Sequence, residues 1–385
     1  MKNKYLVVVG ALAAQLTIGA LYAWSIFGKA LELENFGTAN QIFWTYAIAQ
    51  FVFALTTILS GRLVDRRGPK LVITIGGILY GGGLVLSSFA TTPTMLYLTF
   101  GILSGAGVGF VYVCPLATLI KWFPKNKGAI TGLSVSVFGG GSILFKQIIS
   151  FFTESANASV AFLYLGLISA ATIILGAQFV SLPEGYSKAH ATKGDDDFLT
   201  SEMVKTPKFY KTWIMYWLAV TPGLLVLGAA KNIGLEVAGL TAITAGGLIS
   251  ILAIANASSR LISGSLSDKL GTLNVLKALL GLTILSLLSL SFLGANKAMF
   301  YFGVVGIAFG YGGFLALFPT FTNQQFGSFR YASNYGVIYQ AYGLAALSGI
   351  FIKSVVGSFT NTFIVAALAG VVGLIISFFI KERKA

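Results

Sequence analysis

The chain has 385 residues, 56% hydrophobic and only 10% charged, with a formal net charge of +14. Soluble domains carry about 25% charged residues, so a chain this apolar cannot cover itself with polar surface, and a soluble fold is excluded. The single cysteine, Cys114, rules out an internal disulfide and a thiolate metal site, and no residue grouping calls for a metal or other cofactor.

Twelve apolar runs follow one another, each long enough to cross about 30 Å of hydrocarbon at about 1.5 Å per residue. The first covers 5–28 and continues past Trp24 with no small-residue cleavage pattern, so it is expected to be a span rather than a leader. Five more follow at 41–60, 71–90, 95–120, 129–152 and 160–182. The polar stretch from Glu184 to Lys211 comes next and holds the one histidine, His190, which reads as a solvated linker residue. The second set lies at 211–231, 240–263, 273–293, 298–321, 334–357 and 361–380. The prediction is an all-α membrane protein of twelve transmembrane helices. Its two six-helix bundles cover 1–182 and 211–385, joined by a linker at 183–210.

Twelve spans put both termini on one side of the membrane. Lys and Arg crowd the loops of that side, as at Arg62, Arg66, Arg67, Lys70, Lys121, Lys125 and Lys127. The opposite loops hold only Lys29, Lys231 and Lys297. The positive-inside rule then makes the termini and the linker cytoplasmic and the membrane the cell's plasma (inner) membrane. The positive charge is a topology signal whose expected partners are lipid headgroups, not nucleic acid.

The two halves repeat. GRLVDRRG, Gly61 to Gly68, follows span two, and GSLSDKLG, Gly264 to Gly271, follows span eight; both read G-x-L-x-D-x-x-G. A second echo pairs FKQIISFFT (Phe145 to Thr153) with IKSVVGSFT (Ile352 to Thr360). Six plus six spans in parallel repeat resemble the two halves of major facilitator transporters. The paired G-x-L-x-D-x-x-G segments resemble that superfamily's conformational-switch loops. The resemblance implies that Asp65 and Asp268 each face a helix N-terminus from the opposite half, where a carboxylate gains about 0.3–1 kcal/mol. Gly61, Gly68, Gly264 and Gly271 complete those loops.

LYAWSIF (Leu21 to Phe27), GAGVGFVYVCPLATLIKWFPKNKG (Gly105 to Gly128), NASSRLISGSLSDKLG and NYGVIYQAYG (Asn334 to Gly343) carry a finer resemblance. They are similar to the oxalate/formate antiporter family, close kin of the monocarboxylate transporters. GAGVG, Gly105 to Gly109, lies inside a span with no strand before it, so it reads as helix packing rather than a nucleotide loop.

Arg260 is the residue that points to cargo. It lies eight residues before Asp268, which along a helix is about 12 Å deeper, near a midplane about 15 Å from either boundary. An arginine there costs at least about 2.5–3.5 kcal/mol and usually faces a cavity or a partner. All twelve acids are assigned to loops, so no carboxylate waits for it inside a span. A substrate carboxylate can supply the charge through two parallel hydrogen bonds. The family resemblance implies the same role for this position. Asn256 is one turn earlier on the same face, able to hold the guanidinium or a substrate hydroxyl. In the first half Thr57 and Phe53 occupy the places of Arg260 and Asn256.

Oxalate-carrying relatives place a lysine where this chain has Tyr342. A neutral residue leaves one oxalate charge unpaired in a low-dielectric cavity, so a monocarboxylate such as lactate, pyruvate or formate is expected. The resemblance to monocarboxylate carriers carries substrate contact to Tyr112 and Tyr311. Tyr339, Tyr342 and Leu21 complete the candidate cavity. Lys146 and Lys353 read as interfacial anchors within snorkelling reach or as an anion-attracting vestibule. Asn256 stands where animal monocarboxylate transporters tend to carry aspartate, and asparagine cannot titrate. Coupling by a proton or by anion exchange both stay open. The expectation is a secondary transporter, not an enzyme, working as a monomer; the rivals are an oxalate:formate antiporter, a carrier of neutral solutes and a non-transporting carboxylate sensor.

Overall fold

The computed structural model describes residues 3–184, 194 and 197–381, leaving His190 and the Lys353 side chain outside the described residues. Eleven of its helices are long and apolar enough to cross a membrane. They are α1 (Lys4–Leu33), α2 (Asn40–Arg67), α3 (Pro69–Ser87), α4 (Pro93–Trp122), α5 (Lys127–Ser155), α6 (Ala158–Phe179), α7 (Pro207–Ala238), α8 (Ile243–Leu270), α9 (Thr272–Leu293), α10 (Lys297–Phe326) and α12 (Phe359–Phe378). Between the last two runs α11, in two pieces, Tyr331–Ile338 and Gln340–Val356, parted at Tyr339. This is the predicted twelve-helix arrangement. Large apolar side chains stay exposed on its outer faces, Leu59, Phe89, Leu175, Ile254, Phe292 and Phe378 among them, as contact with lipid requires.

Local chemistry sets the helix ends. Thr38 and Gln41 form a capping box at the start of α2. Pro207 opens α7 behind the Thr206 cap, and Gly239 ends it in the left-handed region at φ 58°. Gly68 and Gly271, at φ 89° and 86°, end α2 and α8. Few L-residues tolerate that conformation, which accounts for the last glycine of each repeated motif. The α1 helix tightens into a 3₁₀ turn over Gly19–Ala23. There a Cβ on Gly19 would lie 2.0 Å from the Phe138 carbonyl oxygen, so only glycine allows the approach.

The motifs expected to be loops are helical. The α2 helix runs to Arg67 and α8 to Leu270, leaving a single glycine as each connection. Arg62, Arg66, Arg67 and Lys269 end the apolar run without ending the helix, because Arg and Lys are good helix formers. The assignment of acids to loops is corrected for the same reason. Glu32, Asp65, Glu154, Glu202, Glu236 and Asp268 all sit on helices, and Asp65 is buried.

By contact the chain forms two compact units. The first comprises Met1–Pro124, Val137–Thr200 and Gly327–Tyr339; the second comprises Lys125–Ser136, Ser201–Phe326 and Gln340–Ala385. An aromatic cluster anchors the first, with the Phe27 and Phe162 rings stacked at 4.0 Å and Trp24 4.4 Å from Phe100. The second has an aliphatic core in which Leu248, Leu252, Leu287, Leu290, Val304 and Phe363 are buried together. Each unit thus takes in the opening of a helix, α5 or α11, whose remainder belongs to the other.

Candidate functional site

In the second unit, Arg260, Gly264 and Asp268 recur every fourth residue along α8 and share a face. The opening of α5 lies on that face. Asp268 accepts hydrogen bonds from the Gly128 and Ala129 amides, both at 2.8 Å. These are amides that a helix N-terminus leaves without internal partners, so a carboxylate is well placed there. A Cβ on Gly264 would lie 2.4 Å from the Gly128 carbonyl oxygen, and one on Gly132 would lie 2.3 Å from that of Arg260. Glycine is therefore what brings the two backbones together. Ser136 Oγ donates to the Ala257 carbonyl at 3.3 Å.

Arg260 is 3% exposed. Its Nε donates to Asn256 Oδ1 at 3.0 Å, and its Nη1 donates to the Val135 carbonyl of α5. Among the described residues both partners are uncharged, so the guanidinium charge is not neutralised by them. The α10 backbone approaches Asn256 closely, since a Cβ on Gly312 would lie 2.2 Å from the Asn256 carbonyl oxygen and 2.8 Å from Oδ1. Gly312 follows Tyr311, whose hydroxyl donates to that of Tyr342 at 3.4 Å. The unit therefore joins Arg260 to Asn256 directly and Tyr311 to Tyr342 directly.

The first unit repeats the arrangement with different chemistry. Thr57, Gly61 and Asp65 share a face of α2, and the opening of α11 lies on it. Asp65 Oδ2 accepts from the Ser333 amide at 2.8 Å and from its hydroxyl at 2.6 Å. A Cβ on Gly61 would lie 2.2 Å from the Ala332 carbonyl oxygen, and one on Gly336 would lie 2.3 Å from that of Thr57. Thr57 Oγ donates to the Gly336 carbonyl at 3.1 Å. Tyr112 and Tyr339 meet with ring centroids 5.1 Å apart, and Phe53 lies 5.3 Å and 5.5 Å from them. Leu21 is buried in the 3₁₀ turn of α1. Lys146 is exposed.

Sequence reasoning missed Val135, Gly132, Ser136 and Ser333. A main-chain carbonyl has no side-chain signature. The packing did have one: Gly128 with Gly132, and Ala332 with Gly336, are small residues four apart, the spacing that lets membrane helices approach closely.

These helices, apolar outside and closely packed through glycine within, define a multi-pass membrane protein. Residues 11–350 match the model of the Major Facilitator Superfamily. The chain belongs to that superfamily of transporters. It is 30% identical to the MFS-type transporter YhjX of Escherichia coli (strain K12), over 90% of this chain and 86% of that one. It is 27% identical to the oxalate:formate antiporter of Oxalobacter formigenes, over 98% of this chain and 91% of that one. Monocarboxylate transporter 13 of Rattus norvegicus is 25% identical over 91% of this chain and 82% of its own. Among solved structures, the transporter FucP in its outward conformation matches with a TM-score of 0.75 at 16% identity, over 100% of this chain and 99% of that one.

Proposed function

We propose that this chain is a secondary transporter of small monocarboxylates, lactate, pyruvate or formate, working by alternating access. The observation that carries the reading is Arg260, buried, charged and held only by neutral partners among the described residues. A carboxylate can bind a guanidinium through two parallel charge-assisted bonds, stronger than a bond to a peptide carbonyl. Asn256 holds Nε, which fixes the plane of the guanidinium for that exchange. In the second unit Tyr311 and Tyr342 are assigned to substrate contact; in the first, Tyr112, Tyr339 and Leu21 are assigned the same role. Tyr342 is neutral, so one central cation meets one carboxylate.

Asp65 and Asp268, with Gly61, Gly68, Gly264 and Gly271, act as the conformational switch. Residues 1–182 and 211–385 are its two bundles and 183–210 its linker. We place the chain in the plasma membrane with both termini cytoplasmic, working as a monomer, coupled to a proton or to a counter-anion. Similarity to the oxalate:formate antiporter over most of both chains supports one second reading, exchange of those two anions.

Uptake of labelled L-lactate, pyruvate, formate and oxalate into proteoliposomes tests both readings, with and without a proton gradient or internal counter-substrate. Monocarboxylate uptake is expected, and its loss in Arg260→Gln. Uptake that survives this substitution would remove the carboxylate clamp, and oxalate accumulation would favour the second reading.

A further inference from the structure

The bond from Arg260 Nη1 to the Val135 carbonyl has no counterpart in the chemistry of a simple anion site. It joins α8 to α5 through Nη1, one of the two nitrogens that an end-on, two-point carboxylate contact would share once Nε is held by Asn256. Val135 lies inside α5, where its carbonyl is the ordinary acceptor for the amide of Gly139, and a carbonyl has a second lone pair to offer. The guanidinium takes up that second capacity. A charged donor held by a lone peptide oxygen is satisfied but not neutralised, so a carboxylate can replace it.

The place of this bond gives it a consequence. Ser136 is the last residue of α5 in the second unit, and Val137 is the first in the other. The helix continues unbroken through Gly139, Gly140 and Gly141, three residues with low helix propensity. Val135 is thus one turn before the weakest part of α5. Hydrogen bonds between this opening and α8 also include the Asp268 cap and the Ser136 hydroxyl bond to Ala257. Neither involves a group that cargo would contact.

We infer that the Val135 carbonyl is an internal surrogate for the carboxylate: it occupies Arg260 when the site is empty, and binding of a small carboxylate exchanges it and loosens the opening of α5 from α8. This rests on the carboxylate reading of Arg260 given above. Substrate occupancy is thereby coupled to helix packing through one donor group. Val135 and Asn256 act as positioning residues for that group.

The test uses the full chain with Cys114→Ala and the pair Ser136→Cys and Ala257→Cys, positions in contact through the Ser136 hydroxyl and the Ala257 main-chain carbonyl, 3.3 Å apart. Oxidative cross-linking is followed with and without L-lactate and formate, and binding of the same anions is measured by calorimetry. The expected result is a cross-linking rate lowered about fivefold or more by a bound anion, the lower end of ordinary site-to-site coupling. In Arg260→Gln the rate should already be low, with no response to either anion. Arg260→Lys keeps one charged donor for Val135 and should restore the high resting rate. Calorimetric binding with an unchanged cross-linking rate would overturn the inference and leave the carboxylate reading standing. Absence of binding to the unsubstituted arginine would overturn both. The comparison with and without anion in the Arg260 chain stands alone should the glutamine variant fail to fold.

Discussion

The α2–α11 and α8–α5 contacts are the same clamp built twice. In each, an aspartate caps the opening of another helix and glycines let two backbones touch. They differ one turn further along, where the α2 contact has Thr57 and Phe53 and the α8 contact has Arg260 and Asn256. Thr57 closes its contact with a neutral hydroxyl bond to Gly336. Arg260 closes its own with a charged bond to Val135. The frame is shared, and at this place only the second copy carries a charged side chain. On the proposed reading, binding and structural closure are separate in the first clamp and combined in the second.

The sharpest way to break the comparison is to make the second clamp resemble the first. Arg260→Thr should abolish monocarboxylate uptake while leaving the protein monodisperse in detergent. Losing a buried charged partner of this kind costs about 2–5 kcal/mol, at least about thirtyfold in apparent affinity. Uptake near the unsubstituted level would show that the two clamps are functionally alike.

Next in size are the glycine crossings. Gly132→Val and Gly336→Val each drive a side chain into a carbonyl oxygen 2.3 Å from the Cβ position. Each should lose about 1–3 kcal/mol of stability, read as a lower midpoint in a thermal unfolding assay. Only Gly132→Val should also disturb anion affinity, since its crossing is at Arg260.

The aspartate caps should give smaller effects. Asp65→Asn and Asp268→Asn keep an acceptor and lose its charge, a change of about 1 kcal/mol. Asp268→Asn should cost more of its clamp, because Asp268 uses both oxygens to hold two amides and an amide side chain has one acceptor. Asp65 uses Oδ2 alone for both Ser333 contacts. Equal losses of transport rate would contradict that difference. The smallest effect expected is from Tyr342→Phe, which removes the long hydroxyl contact to Tyr311. It should change apparent lactate affinity by less than about fivefold, since one neutral hydrogen bond contributes about 0.5–1.5 kcal/mol.

Much of this was legible beforehand, for identifiable reasons. Hydropathy located the spans because the bilayer demands long apolar helices. Arg260 stood out because a charge deep in such a helix is costly. The repeated glycine and aspartate positions marked the close helix contacts, although those segments continue their helices instead of forming loops. The tightening of α1 at Gly19–Ala23 was not visible, since it comes from contact with Phe138, far along the chain. Nor was the neutral partner of Arg260 from α5. Attention to side-chain acids left no place for a peptide oxygen, and tertiary packing supplied one.

The two aspartate caps also differ in when they can form. Asp268 leaves the ribosome after its partner Gly128, which precedes it by 140 positions. Asp65 is made first and its partner Ser333 comes 268 positions later. As helices enter the membrane in order of synthesis, the α8 cap can close on arrival. The α2 cap must wait until most of the chain has been inserted. The early aspartate then goes without its Ser333 cap through most of synthesis, and the arrival of α11 completes that contact last.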